Sequence, residues 1–305
     1  MYLQHFGLTE FPFGITPDTG FYFSAHDSQA ALNTLLVAVQ SGEGFIKITG
    51  EVGTGKTMLC RKLMTSLGDE YQIAYVPNPY LQPMALLLEL AAELGVASEP
   101  LSEGNTLQQH RLVKALTQRL LQLSIEGKRV LVCLDEAQAM PIESLEALRL
   151  LTNLETEKRK LVQVVIFGQP ELDEKLAHPS IRQLRQRITF DYCIGPMRDG
   201  EVDYYLHHRL MAAGHRGGAL FSGAARRLLK RRTRGYPRLV NIVAHKALMC
   251  AYGRGRTSVD YWDVRAAVGD TRSLNAGLPW KTGLAWGLLL SGGVGLMAYA
   301  IARSL

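Results

Sequence analysis

Residues 50–57 read Gly50-Glu51-Val52-Gly53-Thr54-Gly55-Lys56-Thr57. This is the G-x-x-x-x-G-K-T pattern of a phosphate-binding loop. A strand-like run at 45–49 precedes it, and residues 58–64 follow with apolar side chains at helical spacing. In the order strand, glycine loop, helix, backbone N–H groups and a helix N-terminus converge on phosphate oxygens. The stretch therefore predicts a nucleotide site, with Lys56 on the β- and γ-phosphates and Thr57 on Mg²⁺.

A second motif, Asp135-Glu136-Ala137-Gln138, directly follows the apolar run 130–134. A continuous apolar run is typical of a parallel strand buried on both faces. Two adjacent carboxylates at the end of such a strand are costly beside a dry core unless a cation compensates them. We therefore expect Asp135 to hold Mg²⁺ through water and Glu136 to orient or activate an attacking water.

Two further polar positions complete the predicted site. Gln169 follows the next apolar run, 161–167, and is interpreted as a sensor of the γ-phosphate, with a simple turn as the alternative. In the stretch Gly235-Tyr236-Pro237-Arg238-Leu239-Val240-Asn241, the proline favours a helix start that aims Arg238 back at the nucleotide. We predict that Gln169 and Arg238 are catalytic and that Arg238 also contacts the nucleotide.

Basic residues cluster directly before the last predicted strand, in Arg182-Gln183-Leu184-Arg185-Gln186-Arg187. An arginine placed here can enter the site of a neighbouring subunit and neutralise charge in the transition state. Arg187 is the first candidate for this role and Arg185 the second. A solvated basic helix end explains the same residues equally well, so both interpretations stay open.

The pattern of predicted elements divides the chain into two folded parts. Strands alternate with helices up to residue 197, which predicts an α/β fold with a parallel sheet. The aromatic-rich segment 1–25 is expected to be ordered and to wrap this core, because its rings are costly to expose. From 198 to 270 only helices are predicted, which indicates a small α-helical domain. The predicted strands lie at 45–49, 73–76, 130–134, 161–167 and 188–194.

The segment 282–302 contains no charged side chain and follows a predicted linker, 271–281. At ~1.5 Å per residue a helix of this length spans roughly 31 Å, the thickness of a hydrocarbon core. Lys281 and Arg303 bracket it, as expected at the two membrane interfaces. We predict a transmembrane helix, with a buried helix of the soluble part as the alternative.

Composition indicates a folded protein and leaves its partners open. Hydrophobic residues make up 47% and charged residues 20% of the 305, which is typical of globular rather than disordered chains. The net charge of +6 and a pI of about 9.1 permit an anionic partner without demanding one. The basic stretch 226–234 fits a solvated helix face, an anionic lipid contact or a nucleic-acid contact. No aromatic residue interleaves with it, so base stacking is not indicated.

Together these motifs resemble the AAA+ ATPases and, within them, the ExeA/GspA-like family of secretion and pilus-assembly ATPases. The resemblance covers about residues 1–270. It implies a P-loop AAA+ parallel-sheet core with an α-helical lid, and Mg²⁺-dependent hydrolysis of ATP. It rests on Tyr-Leu-x-x-Phe-Gly-Leu-x-x-x-Pro-Phe (2–13), the loop 50–57, Asp-Glu-Ala-Gln (135–138), Phe-Gly-Gln-Pro-Glu-Leu (167–172), Leu-Arg-Gln-Arg-Ile (184–188) and Gly-x-Pro-Arg-x-x-Asn (235–241).

The resemblance also implies partners and a location. We expect a homo-oligomer that works with inner-membrane proteins of a type IV pilus (MSHA-like) or a type II secretion machine. The ATPase part is expected in the bacterial cytoplasm, with residues 282–302 crossing the inner membrane and contacting its lipid. ExeA-type relatives continue into a periplasmic part with a peptidoglycan-binding module, whereas this sequence stops three residues later. Partners are therefore expected at the membrane helix or on the cytoplasmic side.

Two other functions compete with this one. The first is an ATP-gated, DNA-binding and loading ATPase of the transposition or replication-initiation type, which the stretch 226–234 favours and the membrane helix opposes, making nucleic acid the less expected partner. The second is a scaffold that binds ATP and scarcely hydrolyses it. The sequence predictions for the domains are a core at 1–197, a lid at 198–270, a linker at 271–281 and a membrane helix at 282–302.

Overall fold

The computed structural model describes residues 2–96, 106–155 and 160–275. Its centre is one sheet in which all neighbouring strands are parallel, in the order β2-β3-β4-β1-β5. The predicted α/β fold with a parallel sheet is therefore confirmed. The strands are β1 (Phe45–Gly50), β2 (Tyr71–Val76), β3 (Arg129–Leu134), β4 (Val162–Gly168) and β5 (Ile188–Ile194).

Helices cover both faces of the sheet and form a separate group towards the C-terminus. The helices are α1 (Tyr2–His5), α2 (His26–Gln40), α3 (Lys56–Ser66), α4 (Pro83–Glu93), α5 (Thr106–Ile125), α6 (Ile142–Leu151), α7 (Glu171–Leu176), α8 (Arg182–Arg187), α9 (Glu201–Ala212), α10 (Gly223–Thr233), α11 (Pro237–Gly253), α12 (Tyr261–Gly269) and α13 (Arg272–Asn275).

The alternation of side chains along β3 explains the two layers. Val132 and Leu134 pack with apolar residues of α4, α5 and α6 on one face. Leu131 and Cys133 pack with α2 and α3 on the other face. Because successive side chains of a strand point to opposite faces, a strand between two helical layers is apolar throughout. The unbroken apolar run seen in the sequence follows from this position.

One charged side chain is buried within the sheet. Lys47 lies in β1, between β4 and β5, with 6% of its surface exposed. Its amine pairs with Asp173 of α7 and, at 2.7 Å, with Asp191 of β5. A buried cation is tolerated when charged partners of this kind surround it. Lys47 therefore ties the segment after β4 to the neighbouring strand β5.

The aromatic segment at the start of the chain packs against the helical region, residues 198–275. Phe6, Phe13 and Phe21 are buried in one apolar cluster with side chains of α9, α10, α11 and α12. The rings are sequestered from water, as their cost of exposure requires. The apolar surface that covers them belongs to the helices rather than to the sheet, so the segment wraps a different part of the protein from the one expected.

Within the described ranges, no helix combines the length and the apolar character needed to cross a bilayer. The membrane helix predicted at 282–302 lies outside those ranges, as do residues 276–281 of the predicted linker. The helix α6 ends at Leu151. Thr152 closes it, with its hydroxyl donating back to the carbonyl oxygen of Arg149 at 2.8 Å.

Candidate functional site

The glycine loop between β1 and α3 requires its glycines for two different reasons. Gly55, the N-cap of α3, has a φ of +102°, in the left-handed region that favours glycine. Gly53 also has a positive φ, +83°, and a Cβ at this position would lie 2.6 Å from the Cβ of Arg238. The absence of a side chain at Gly53 therefore lets the helical region approach the loop directly.

The amine of Lys56 turns back over the loop that precedes it. Its Nζ donates to the carbonyl oxygens of Gly50 at 2.7 Å and Glu51 at 3.0 Å. Burial lowers the pKa of Lys56, and the negative charges of Glu136 and Asp135 oppose that shift without cancelling it. The side chain is only 5% exposed. The loop thus holds one buried cation beside two carboxylates.

Asp135 stands at the carboxyl end of β3 and contacts the first turn of α3. Its Oδ2 accepts a hydrogen bond from the Thr57 hydroxyl at 2.5 Å. Burial raises the pKa of Asp135 despite the hydrogen bonds from Thr57 and from the backbone of Glu136. A buried carboxylate beside a hydroxyl is a set of hard oxygen donors, the type that Mg²⁺ prefers. These two residues therefore fit a magnesium ion shared with phosphate oxygens.

Glu136 is held in an unusual backbone conformation. Its φ is +54°, which for a side chain other than glycine costs about 1–3 kcal/mol. Its Oε2 accepts hydrogen bonds from Nε2 of Gln138 at 2.6 Å and Nε2 of Gln169 at 2.9 Å. Burial alone would raise the pKa of Glu136, but these bonds and the charges of Lys56 and Arg238 hold it below its usual value. Glu136 is therefore a fixed and ionised carboxylate at neutral pH.

Gln138 links Glu136 and Gln169, although the sequence analysis assigned it no role. Its Oε1 accepts from the backbone N–H of Gln169 at 3.0 Å, which leaves its amide nitrogen to donate to Glu136. Its own carbonyl oxygen accepts from the Lys175 amine at 2.5 Å. The available signal was an amide side chain two positions after Glu136. An amide with both a donor and an acceptor in use joins the ends of β3 and β4.

Arg238 reaches the site from the first turn of α11, which starts at Pro237 as predicted. Its backbone N–H donates to the carbonyl oxygen of Gly53 at 3.2 Å. The structure therefore brings together the predicted residues of the loop 50–57, Asp135, Glu136, Gln169 and Arg238.

Arg185 and Arg187 are the two predicted site residues that lie elsewhere. They are exposed on α8, at the amino end of β5, whereas the loop and both motifs lie at the carboxyl ends of parallel strands. Nη1 of Arg187 donates to the Thr152 hydroxyl at 3.4 Å. Neither arginine can therefore contact the glycine loop of its own chain in this arrangement.

A cavity of about 360 Å³ opens beside the glycine loop. One wall consists of residues 52–59 and Glu136. The other walls are formed by residues 14–17 and 21–23 of the N-terminal segment, by residues 25, 27 and 28 at the start of α2, by residues 195–197 and by side chains of α9 and α11. The cavity is thus enclosed by segments that are far apart in the sequence.

Comparisons with known proteins agree with this architecture. The family model described as "AAA domain" matches residues 39–176. General secretion pathway protein A of Aeromonas hydrophila is 39% identical over 284 residues, which are 93% of this chain and 51% of that protein. The chain therefore spans about half the length of this curated relative.

Solved structures show the same fold at low sequence identity. Cdc6p of Pyrobaculum aerophilum superposes with a TM-score of 0.67 at 18% identity, covering 88% of this chain and 74% of that one. The Aeropyrum pernix ORC1 protein in complex with DNA gives 0.61 at 20% identity, covering 84% and 68%. Together the motifs, the sheet and the family match identify residues 39–176 as an AAA ATPase domain, in a chain that is similar to General secretion pathway protein A (ExeA/GspA-like) over most of its own length.

Proposed function

We propose that this chain binds ATP with Mg²⁺ in the cavity beside the loop 50–57, hydrolyses it, and uses the cycle to support assembly of an envelope machine. The observation that carries the proposal is the connected set of hydrogen bonds at the carboxyl ends of the strands. Thr57 bonds Asp135, and Glu136 bonds Gln169, all beside the buried amine of Lys56. Such a set has little structural purpose, since it concentrates buried charge and backbone strain in one place.

The loop and the helical region would bind the phosphates. The backbone N–H groups of residues 50–57, the start of α3 and the Lys56 amine supply positive potential. Arg238 adds a guanidinium from the helical region. Thr57 and Asp135 would hold Mg²⁺, which when bound neutralises charge on the β- and γ-phosphates.

Glu136 and Gln169 would act on the attacking water and the γ-phosphate. An ionised Glu136 can accept a proton from water or orient it, and its Oε2 is already occupied by two amide donors. Gln169 would exchange its bond to Glu136 for one to the γ-phosphate. Movement of Gln169 would then free Glu136 to contact water.

The remainder of the cavity suits a nucleoside. Ile15, Pro17, Phe21 and Tyr22 line it, and flat apolar and aromatic side chains bind the faces of a purine. The phosphate loop and this apolar part occur in one cavity, which is what a nucleoside triphosphate requires.

Arg187, with Arg185 as the second candidate, would complete the site of a neighbouring copy. Both are exposed and distant from their own loop, and an arginine supplied in trans stabilises charge on the transferring phosphoryl group. The working form would therefore be a homo-oligomer in which each copy supplies an arginine to the next.

For the cellular role, we propose an ATPase of the inner membrane. General secretion pathway protein A, the relative described above, bears a name that refers to secretion. The partners would be inner-membrane proteins of a type II secretion machine or an MSHA-like type IV pilus. The uncharged segment 282–302 would cross the membrane and contact lipid, with the ATPase part in the cytoplasm.

The decisive variant is Glu136→Gln, measured for ATP binding and for phosphate release. We expect ATP to bind normally and turnover to fall by at least about a hundredfold, since an amide cannot act as a base. Lys56→Ala should lose ATP binding. Glu143→Gln, an exposed glutamate of α6, is the matched control and should match the wild type. Normal turnover by Glu136→Gln would contradict the proposed mechanism.

The same variant identifies the machine. Glu136→Gln purified from membranes in ATP should retain the partners that recognise the ATP state. Secretion or pilus proteins of the inner membrane are the expected result. Nucleic acid without any envelope protein would contradict the proposed role.

One observation favours the second candidate function, loading onto DNA. Arg227 and Arg231 are exposed four residues apart on one face of α10, and Arg234 is exposed directly after the helix ends. A DNA affinity that falls steeply with salt and is lost on substituting these arginines would support that function. Affinity that is absent at low salt would exclude it.

A further inference from the structure

The N-terminal strap, residues 12–17, runs between the helical region and the core. Its residues 14–17 line the cavity. At its far end, Nη1 of Arg61, a residue of α3, donates to the carbonyl oxygen of Pro17 at 2.7 Å. The strap is thus tied to the helix that begins at the phosphate loop.

A buried arginine of the helical region holds the other end of the strap. Arg209 of α9 is 4% exposed and lines the same cavity. Its Nε donates to the carbonyl oxygen of Pro12 at 2.5 Å and its Nη2 to that of Gly14 at 3.2 Å. Its guanidinium carbon lies 4.4 Å from the centre of the Phe21 ring.

Burying an arginine is costly, and these partners are backbone carbonyls and a ring rather than a carboxylate. Burial accordingly lowers the pKa of Arg209. The arrangement uses the planar fork of the guanidinium to bond two carbonyls two residues apart. A lysine offers no such fork. The cost is consistent with a positioning task.

Asn241, the last residue of the Gly-x-Pro-Arg-x-x-Asn motif, bonds the same strap. Its Nδ2 donates to the carbonyl oxygen of Gly14 at 3.2 Å. Its Oδ1 accepts from the Tyr205 hydroxyl at 2.8 Å, which fixes the orientation of the amide. Asn241 lies three residues after Arg238, so one turn of α11 contacts both the phosphate loop and the strap.

We propose that Arg209 and Asn241 are positioning residues for the nucleoside end of the ATP site and act through the strap. The inference rests on the proposed function. All three bonds from the helical region end on backbone carbonyl oxygens, so they set the path of the strap whatever its side chains are. The phosphates are bound by the loop 50–57, to which the strap contributes nothing. Loss of these bonds should therefore weaken binding of the nucleoside and leave binding of the phosphates unchanged.

The test compares ATP with inorganic tripolyphosphate, both with Mg²⁺, by calorimetry on the full chain. For Asn241→Ala we expect the Kd for ATP to rise about fivefold, the usual size of one lost hydrogen bond. The Kd for tripolyphosphate should not change. Arg209→Lys should raise the Kd for ATP further, relative to the Kd for tripolyphosphate. This variant loses the two bonds of the guanidinium fork and keeps the positive charge.

Thr9→Val is the matched control. Thr9 also joins the N-terminal segment to the helical region, through a bond from its hydroxyl to the carbonyl oxygen of Ala213 at 3.0 Å. It does not line the cavity. The control should leave the Kd values of both ligands unchanged.

The possible outcomes separate this inference from the proposed function. Asn241→Ala is the deciding variant if Arg209→Lys fails to fold, and thermal melting identifies that case. If Asn241→Ala weakens the binding of both ligands equally, or of neither, the inference is overturned and the proposed ATP site is unaffected. If the wild-type chain binds tripolyphosphate and ATP equally well, the role of the strap is overturned. If it binds neither ligand, the proposed ATP site is overturned as well.

Discussion

The carboxyl ends of the strands and the amino end of β5 differ in how completely their polar side chains are paired within one chain. At the carboxyl ends of β1, β3 and β4, polar side chains bond one another and reach Arg238 of the helical region. At the amino end of β5, Arg185 and Arg187 are exposed, and the bond from Arg187 to Thr152 is long, at 3.4 Å. The polar side chains at the carboxyl ends are thus paired with one another, whereas the arginines at the amino end of β5 are exposed. We propose that the active unit includes a second copy, which would use these exposed arginines.

The largest expected effect tests this difference directly. Arg187→Ala should reduce turnover by about a thousandfold, the low end of what an arginine supplied in trans contributes. Mixing it with Glu136→Gln should restore part of the activity, because a mixed assembly contains sites with an intact Glu136 and a neighbour's intact Arg187. Phosphate release by the mixture, against each variant alone, is the measurement.

Arg185→Ala is the matched comparison for Arg187→Ala, since the two side chains share one short helix and one charge. A larger loss in Arg185→Ala would exchange the roles of the two arginines. Full activity in both variants would mean that the two arginines of α8 form only a solvated helix end.

A smaller effect on turnover is expected at Gln138, among the paired side chains at the carboxyl ends of the strands. Gln138→Met removes the donor to Glu136 and the acceptor for Gln169 while nearly conserving volume. We expect turnover to fall about tenfold, the value of two positioning bonds at ~1 kcal/mol or less each, with the Kd for ATP unchanged. An equal rise in Kd would show that Gln138 shapes the pocket rather than the carboxylate. Steady-state kinetics and calorimetry together distinguish the two.

The last prediction concerns the stability of the fold and not turnover. Lys47→Met removes the amine that joins Asp173, four residues after Gln169, to Asp191 in β5. Because both carboxylates are half-exposed, the expected loss of unfolding free energy is about 1–2 kcal/mol rather than the 3–5 kcal/mol of a fully buried pair. Urea unfolding of the variant and of the wild type measures the loss. An unchanged unfolding free energy would contradict the structural role of Lys47.

The difference in unfolding free energy between Lys47→Met and the wild type depends on pH with a definite sign. Burial favours the neutral amine, but the hydrogen bonds and charges of Asp173 and Asp191 outweigh it and raise the pKa of Lys47. A raised lysine pKa stabilises the fold fully below the unfolded value, about 10.4. The gap between variant and wild type should therefore be constant from pH 6 to 9 and shrink as the pH rises through the raised pKa. A gap that narrows between pH 9 and pH 6 would point to other groups.

The sequence was sufficient for features that are local in the chain. The loop 50–57, the strand 130–134 and the carboxylates that follow it are each defined by a few consecutive residues, and the structure has them where predicted. The helices α7 and α8 were not predicted as such, because six residues are too few for a helical period to be recognised. The roles assigned to Lys56, Glu136, Gln169 and the arginines stay predictions.

Features that depend on the distant parts of the chain could not be read in advance. Gln138 has a visible amide, but its use is decided by the separation of the ends of β3 and β4. Arg209 looks like a surface residue in the sequence, and its burial results from the packing of Pro12, Gly14 and Phe21 over it. No local pattern indicates which apolar surface a segment rich in aromatic residues will cover.

The packing of the first residues also constrains the order in which the protein can be made. Tyr2 bonds the ring of His245, 243 positions further along the chain, at 2.9 Å. This contact cannot form until α11 has been synthesised, and the aromatic side chains that α11 covers must be kept from other contacts meanwhile. A chain interrupted before residue 237 would hold the strands and the glycine loop without the wall that α11 contributes to the cavity. The cavity beside the glycine loop is therefore completed only after the first turns of α11 have been added to the growing chain.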